Sequence, residues 1–145
     1  MVLDSSFLVA FHNERDSQHQ PAQALMDRFL AGEWGRGLLL EYAFLEVVTV
    51  LLVRRDLSTA VRVGQVLLDA QELEFVPCSD FFPQTVASFS RQAETKLSLA
   101  DVAPSVVART RADGRILSFD REFSRIPDLR VFPAWLRIPT PPEET

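Results

Sequence analysis

At 145 residues, 47% of them hydrophobic and 24% charged, the chain suits one globular domain and is too apolar for intrinsic disorder. Its net charge of −5 excludes attachment to nucleic acid by a bulk positive field alone. It leaves open a local acidic site at which a divalent ion offsets carboxylates. No apolar run approaches the ~18–20 residues needed to span a bilayer.

In chain order, Val2-Leu3 reads as a short strand ending at Asp4, with Ser5 or Ser6 capping a helix through Phe7–Phe11. Residues 16–20 are polar and turn-like, and Pro21 opens a helix whose apolar positions Ala22, Leu25, Met26 and Phe29 follow helical spacing. Gly32, Gly35 and Gly37 end it. Leu38-Leu39-Leu40 reads as a buried strand, and residues 41–53 as a helix with Phe44, Val47, Val48 and Leu51 on one face. Ser58 is the expected cap of a further helix lined by Val63, Val66, Leu67 and Ala70. Residues 73–76 read as a strand closed by Pro77, and Ser79 as the cap of a helix running towards Gln92. Residues 98–112 read as a helix stopped at Asp113-Gly114, residues 115–119 as the clearest strand, ending at Asp120, and Val131-Phe132 as a last short strand. Residues 138–145 are Pro-rich and polar, so one domain is expected over residues 1–137, followed by a tail.

Short strands alternating with helices predict an α/β fold, with a short parallel sheet flanked by helices on both faces and a ligand site beyond the carboxyl ends of the strands. Cys78 is the single cysteine, and Met1-Val2-Leu3 runs straight into Asp4 with no basic or apolar leader. Both features lead to the expectation of a cytoplasmic protein without a membrane segment.

Four carboxylates carry the chemistry. Asp4 and Asp120 each follow a strand, on the edge where parallel sheets bind ligands. An Asp at such a junction also serves as a helix N-cap. Asp101 stands three residues after Ser98, the spacing of a capping box, which aims a first-turn carboxylate at the same edge. Glu46 lies in the nearly apolar run Phe44-Leu45-Glu46-Val47-Val48, where a charge wants a partner, a metal or a solvated outer face. Glu41 is a rival about 140° round the helix, and spacing alone does not choose between them. Carboxylates gathered at one edge repel, and a hard cation with oxygen ligands relieves this: Mg²⁺, with Mn²⁺ as an alternative. Such an ion activates water and clamps a phosphodiester oxygen. With only His12, His19 and Cys78, no zinc site is offered, and no Gly-rich phosphate loop or nucleophile elbow is present. Fourteen of the fifteen basic residues are arginine. Arg109, Arg111, Arg115 and Arg121 are candidates for phosphate contacts, although codon bias also explains the excess.

These residues resemble the PIN-domain family, and within it the VapC-like toxins of type II toxin–antitoxin systems. The resemblance rests on residues 2–6 (Val-Leu-Asp-Ser-Ser), 42–51, 96–101 (Lys-Leu-Ser-Leu-Ala-Asp) and 116–123 (Ile-Leu-Ser-Phe-Asp-Arg-Glu-Phe), and spans residues 1–137. It implies a PIN-like three-layer fold and a Mg²⁺-dependent ribonuclease, acting as the toxin of a toxin–antitoxin pair, whose acidic metal site is built from Asp4, Glu46, Asp101 and Asp120. It thereby selects Glu46 over Glu41. It places Ser6 and Ser118 as accessory hydroxyls, and it implies an RNA substrate, a cognate small antitoxin and a homodimer. Two departures stand out. Ala100 occupies a position where relatives often carry a hydroxyl. Pro104 removes a backbone donor inside the helix that starts near Ser98, so that helix is expected to start later or to kink beside Asp101.

Other readings fit less well. A haloacid-dehalogenase-like phosphohydrolase needs a second Asp where Ser6 stands, and both it and a signalling receiver need a late lysine, whereas Lys96 is the one lysine present. A PIN-like domain that binds RNA or a partner without cutting remains compatible with the residues.

Overall fold

The computed structural model describes residues 1–134. The expected domain boundary at residue 137 and the tail over residues 138–145 lie outside the described residues. Thirteen elements follow one another: β1 (Val2–Leu3), α1 (Ser5–His12), α2 (His19–Leu30), β2 (Gly37–Leu40), α3 (Glu41–Arg54), α4 (Leu57–Asp69), β3 (Leu73–Val76), a 3-10 turn (Cys78–Phe81), α5 (Phe82–Ser90), α6 (Leu99–Arg111), β4 (Arg115–Leu117), a second 3-10 turn (Arg121–Arg125) and β5 (Arg130–Phe132).

The five strands form one parallel sheet in the order β3-β2-β1-β4-β5. Its centre explains why β1 and β2 read as continuous apolar runs rather than alternating ones: Val2, Leu3, Leu38, Leu39 and Leu40 are all buried, as in a sheet covered on both faces. Burying each such side chain contributes about 1.5–3 kcal/mol. From β1 the chain moves outward through β2 to β3, and α1–α4 along this path pack on one another. From β3 it returns across the sheet to β4 through α5 and α6, which pack together, with α6 against β1 and β4. Right-handed crossovers therefore put the two helix groups on opposite faces. The direction of winding reverses between β1 and β4, and the crevice outside the carboxyl ends of those two strands is where such sheets bind ligands.

Helix starts differ from the sequence reading in a consistent way. Asp4 itself caps α1, rather than Ser5 or Ser6, and Asp56 caps α4 through the Thr59 amide at 2.7 Å, rather than Ser58. Where several capping-type residues adjoin, the end of the element upstream, β1 before Asp4 and α3 before Asp56, decides which one takes the extended backbone a cap needs. Residue 79 falls inside the 3-10 turn and caps nothing. Helix α2 begins at His19, so Pro21 sits within its first turn instead of opening it. Val66 is 48% exposed, and Gly64 takes its place on the inner side of α4 beside Val63 and Leu67.

Strand β4 ends at Leu117, two residues earlier than the run of apolar residues suggests. The reason is local competition for donors. The Phe119 amide donates to the Ser6 hydroxyl at 3.0 Å, and the Asp120 amide donates to the Ser118 hydroxyl at 3.0 Å, so both leave the ladder. The turn that leads into β4 depends on Gly114, at φ +73°, where an added Cβ would run into the Asp128 carbonyl.

Candidate active site

Asp4 is the centre of the crevice. It is 9% exposed, at the junction of β1 and α1, and one of its oxygens, Oδ2, accepts the hydroxyls of Ser6 at 2.6 Å and Ser118 at 2.8 Å. The same oxygen accepts the Ser6 amide at 3.4 Å, which is the helix cap. Each serine hydroxyl has one proton, and both are directed to Asp4. Each hydroxyl in turn accepts one amide of the loop after β4. The two serines thus tie the β1–α1 junction to the β4 loop through a single carboxylate. Oδ1 makes no hydrogen bond to any described residue, yet no buried side-chain polar atom among them lacks a partner. Oδ1 therefore faces the open crevice. Burial pushes the Asp4 carboxyl above its ordinary range and the nearby Asp120 charge adds to this, while the hydrogen bonds from Ser6 and Ser118 pull the other way.

Around Asp4 lies a cavity of about 240 Å³. Glu46, Asp101 and Asp120 line it together with Asp4, Ser6, Tyr42 and Ala100. Glu41 and Ser118 are not among the lining residues; Ser118 is fully buried behind Asp4. Like Asp4, two more of these carboxylates also serve as caps. The Ser98 hydroxyl accepts the Asp101 amide at 3.1 Å and the Asp101 carboxylate accepts the Ser98 amide at 3.4 Å, a complete capping box. Asp120 accepts the Glu122 amide at 3.0 Å at the start of the second 3-10 turn. Structural capping and a place in the crevice are therefore not alternatives. A cap is what fixes a carboxylate at the N-terminal end of a helix, and in this sheet those ends surround the crevice.

Glu46 is exposed on the outer flank of α3, as a solvated face predicts, and that flank forms one wall of the cavity. Among the described residues, no three acidic, imidazole or thiol groups already stand close enough to grip one ion. The carboxylates of the crevice offer only oxygen, one of them without a hydrogen bond from any described residue, and Asp101 and Asp120 are half-buried while Glu46 is exposed. That set fits a hard cation that keeps several of its waters, rather than a closed protein cage.

Helix α6 starts at Ser98-Leu99 and continues through Pro104 to Arg111, so it does not start later than its capping box. Proline at position 104 cannot donate to the Ala100 carbonyl. That carbonyl instead accepts the Tyr42 hydroxyl at 2.5 Å. The bond joins α3, four residues before Glu46, to α6, one residue before Asp101. Burial raises the Tyr42 phenol far above its usual range, and the charges of Asp4, Cys78, Glu46 and Asp101 raise it further, so it stays a neutral donor. Sequence reasoning missed this role, although the signal was present: an interior proline leaves a specific carbonyl without its donor. Tyr42→Phe should cost about 1 kcal/mol, lowering the melting temperature by roughly 3–4 °C. In a Pro104→Ala background the backbone amide restored at that position can serve the Ala100 carbonyl, and the Tyr42→Phe cost should largely vanish. Melts of the two single variants, the double variant and the parent test this coupling; additive shifts would refute it.

The four arginines singled out from the sequence are absent from the cavity lining. Arg111 pairs with Glu74 at 2.9 Å, Arg109 donates to the Pro127 carbonyl at 3.4 Å and Arg115 donates to the Ala112 carbonyl at 3.2 Å. A different arginine, Arg54, lines it, with Asp16 and Gln18, none of which sequence reasoning identified. No helix among the described residues is long and apolar enough to cross a membrane.

A family model described as the PIN domain matches residues 1–129. Comparison with curated proteins found no match. Among solved structures the chain is similar to the crystal structure of Mycobacterium tuberculosis VapC20, described as a sarcin–ricin loop cleaving toxin. The TM-score is 0.72 at 22% identity, over 85% of this chain and 92% of that one. At that identity the likeness establishes the shared three-layer fold. With the family match covering all but the last 16 of its residues, the chain belongs to the PIN-domain family.

Proposed function

We propose that the protein is a Mg²⁺-dependent endoribonuclease, with Mn²⁺ as a substitute ion, acting as the toxin of a VapBC-type module. The observation that carries this reading is the convergence of Asp4, Glu46, Asp101 and Asp120, from four separate segments, on one acidic crevice at the switch point of a parallel sheet. Family membership and the VapC20 fold support the same chemistry.

In this reading the four carboxylates hold the ion. When bound, it supplies charge for the phosphodiester oxygens and acidifies a water. The residues of the chain do the rest. Ser6 and Ser118 lock the orientation of Asp4 and leave Oδ1 turned to the crevice. Tyr42 fixes the spacing of the walls that carry Glu46 and Asp101. The acidic rim admits RNA only where a cation offsets it, so occupancy and substrate binding are coupled. The module also implies a cognate small antitoxin, a homodimer and a cytoplasmic setting. A basic antitoxin side chain could compete with the ion for the carboxylates.

The direct test is cleavage of a structured RNA with Mg²⁺ and its loss with chelator; equal cleavage under both conditions would refute metal dependence. Position within the site is tested by a pair of variants. Glu46→Gln should lower the rate at least tenfold, about 1.4 kcal/mol of transition-state stabilisation. Glu41→Gln, outside the crevice, should cost little. The reverse pattern would move the acidic wall to the other side of α3.

A further inference from the structure

The crevice contains five carboxylates and, among the described residues that line it, one cation, Arg54. Arg54 lies on the same flank of α3 as Glu46 and Val50, eight and four residues on from them, and all three line the cavity. Its side chain is 58% exposed and makes no hydrogen bond to any described residue. Its one ionic neighbour among the described residues is Asp16, at 3.8 Å, beyond hydrogen-bond range. Asp16 is held in place independently, since its Oδ1 accepts the Gln18 amide at 2.9 Å. The adjacent Arg55 is engaged differently, donating to Asn13 at 3.5 Å. An arginine whose donors make no hydrogen bond among the described residues, facing an acidic crevice and only loosely paired, has the fork needed for a phosphate.

Resting on the nuclease reading above, we infer that Arg54 grips an RNA backbone phosphate flanking the scissile one, and that Asp16 is the counter-ion it leaves on binding. Spacing sets which phosphate. Eight residues of α-helix separate Arg54 from Glu46 by about 12 Å along the axis. Both side chains lean towards the helix N-terminus, so the offset persists. A phosphodiester held at the four carboxylates is therefore not the one Arg54 touches. The substrate class that follows is an oligonucleotide running along α3, rather than a dinucleotide.

Two variants with opposite signs test this. Arg54→Gln should raise KM for a short RNA oligonucleotide about tenfold and leave kcat within about twofold, the signature of lost uniform binding. The effect on a dinucleoside monophosphate, with one phosphodiester and nothing to reach Arg54, should stay below twofold. Asp16→Asn keeps the oxygen that the Gln18 amide needs and frees Arg54, so it should lower the oligonucleotide KM two- to threefold. The double variant should behave as Arg54→Gln. Independently of turnover, the affinity of a labelled RNA oligonucleotide should be measured by fluorescence anisotropy with Ca²⁺ in place of Mg²⁺. Loss of one phosphate contact should reduce the slope of log affinity against log salt by about 0.7. An unchanged slope, unchanged RNA affinity in Arg54→Gln, or no RNA binding at all would overturn the inference. A changed slope in a protein that cleaves neither substrate would uphold the contact between Arg54 and an RNA phosphate but overturn the nuclease reading, and with it the placement beside a scissile phosphate.

Discussion

Asp101→Asn should abolish RNA cleavage, by about a thousandfold or more, while the protein melts within a few degrees of its parent. The asymmetry follows from the two roles of this side chain. As a cap it accepts the Ser98 amide at 3.4 Å, and an amide oxygen can accept in the same place. As a wall of the crevice it would, in the proposed site, contribute a negative charge to a hard cation, which an amide does not replace. A thousandfold loss corresponds to about 4 kcal/mol, within the several kcal/mol that a bound metal ion supplies to developing charge. Asp101→Ala would confuse the two roles, because it also opens the capping box at the start of α6. Initial rates on RNA, with melting curves on the same preparations, separate them. A purified Asp101→Asn that cuts within tenfold of the parent would remove Asp101 from the site.

The strands and the order of the helices were legible because both rest on periodicity and on continuous apolar runs, which survive any detail of packing. Cap identity was less legible. At Asp4-Ser5-Ser6 and at Asp56-Leu57-Ser58 more than one side chain could cap, and the choice depends on where the preceding backbone leaves its extended path. Ser6 illustrates the cost of reading locally. Its hydroxyl goes to Asp4, and it accepts an amide 113 residues away, so its role exists only once β1 and β4 are paired. The acidic residues could be nominated one by one from strand ends and capping spacing, but Glu46 and Glu41 stayed equal until the family resemblance chose Glu46. Geometry adds the physical distinction that Glu46 faces the crevice and Glu41 does not. Arg54 could not be nominated, because nothing in the local sequence separates it from Arg55. Pro104 could be recognised as a problem, yet its partner, Tyr42, lies on another helix, and only the fold brings the hydroxyl to the orphaned carbonyl.

Asp4→Asn makes a paired claim that a purely structural cap cannot satisfy. The substitution is nearly silent in shape. The amide oxygen can take the place of Oδ2, accepting Ser6 and Ser118, while the amide nitrogen takes the place of Oδ1 towards solvent. What changes is charge. Because burial and Asp120 raise the Asp4 pKa in the fold above its ordinary value of 3.8, the metal-free fold favours the protonated carboxyl. The stability linked to that proton is fully present below pH 3.8 and is lost as pH rises through the raised value. At neutral pH the metal-free parent must either bury a charge or take up a proton to fold, and Asn does neither. In chelator, Asp4→Asn should melt higher than the parent at pH 7, with the gap closing as pH falls towards 3.8. Mg²⁺ reverses the order. Its proposed ligands come from four segments that only folding brings together, so it stabilises the native state by about 2.7 kcal/mol at a hundredfold excess over Kd. For a chain of this size that is roughly 8–10 °C. The parent should gain that increment and Asp4→Asn only part of it, with no RNA cleavage by the variant. If Asp4 were only a cap, Asn would serve nearly as well, activity would survive and both proteins would respond alike to Mg²⁺. Melts of the two proteins in chelator and in excess Mg²⁺ decide the matter, and equal responses would exclude Asp4 from the metal site.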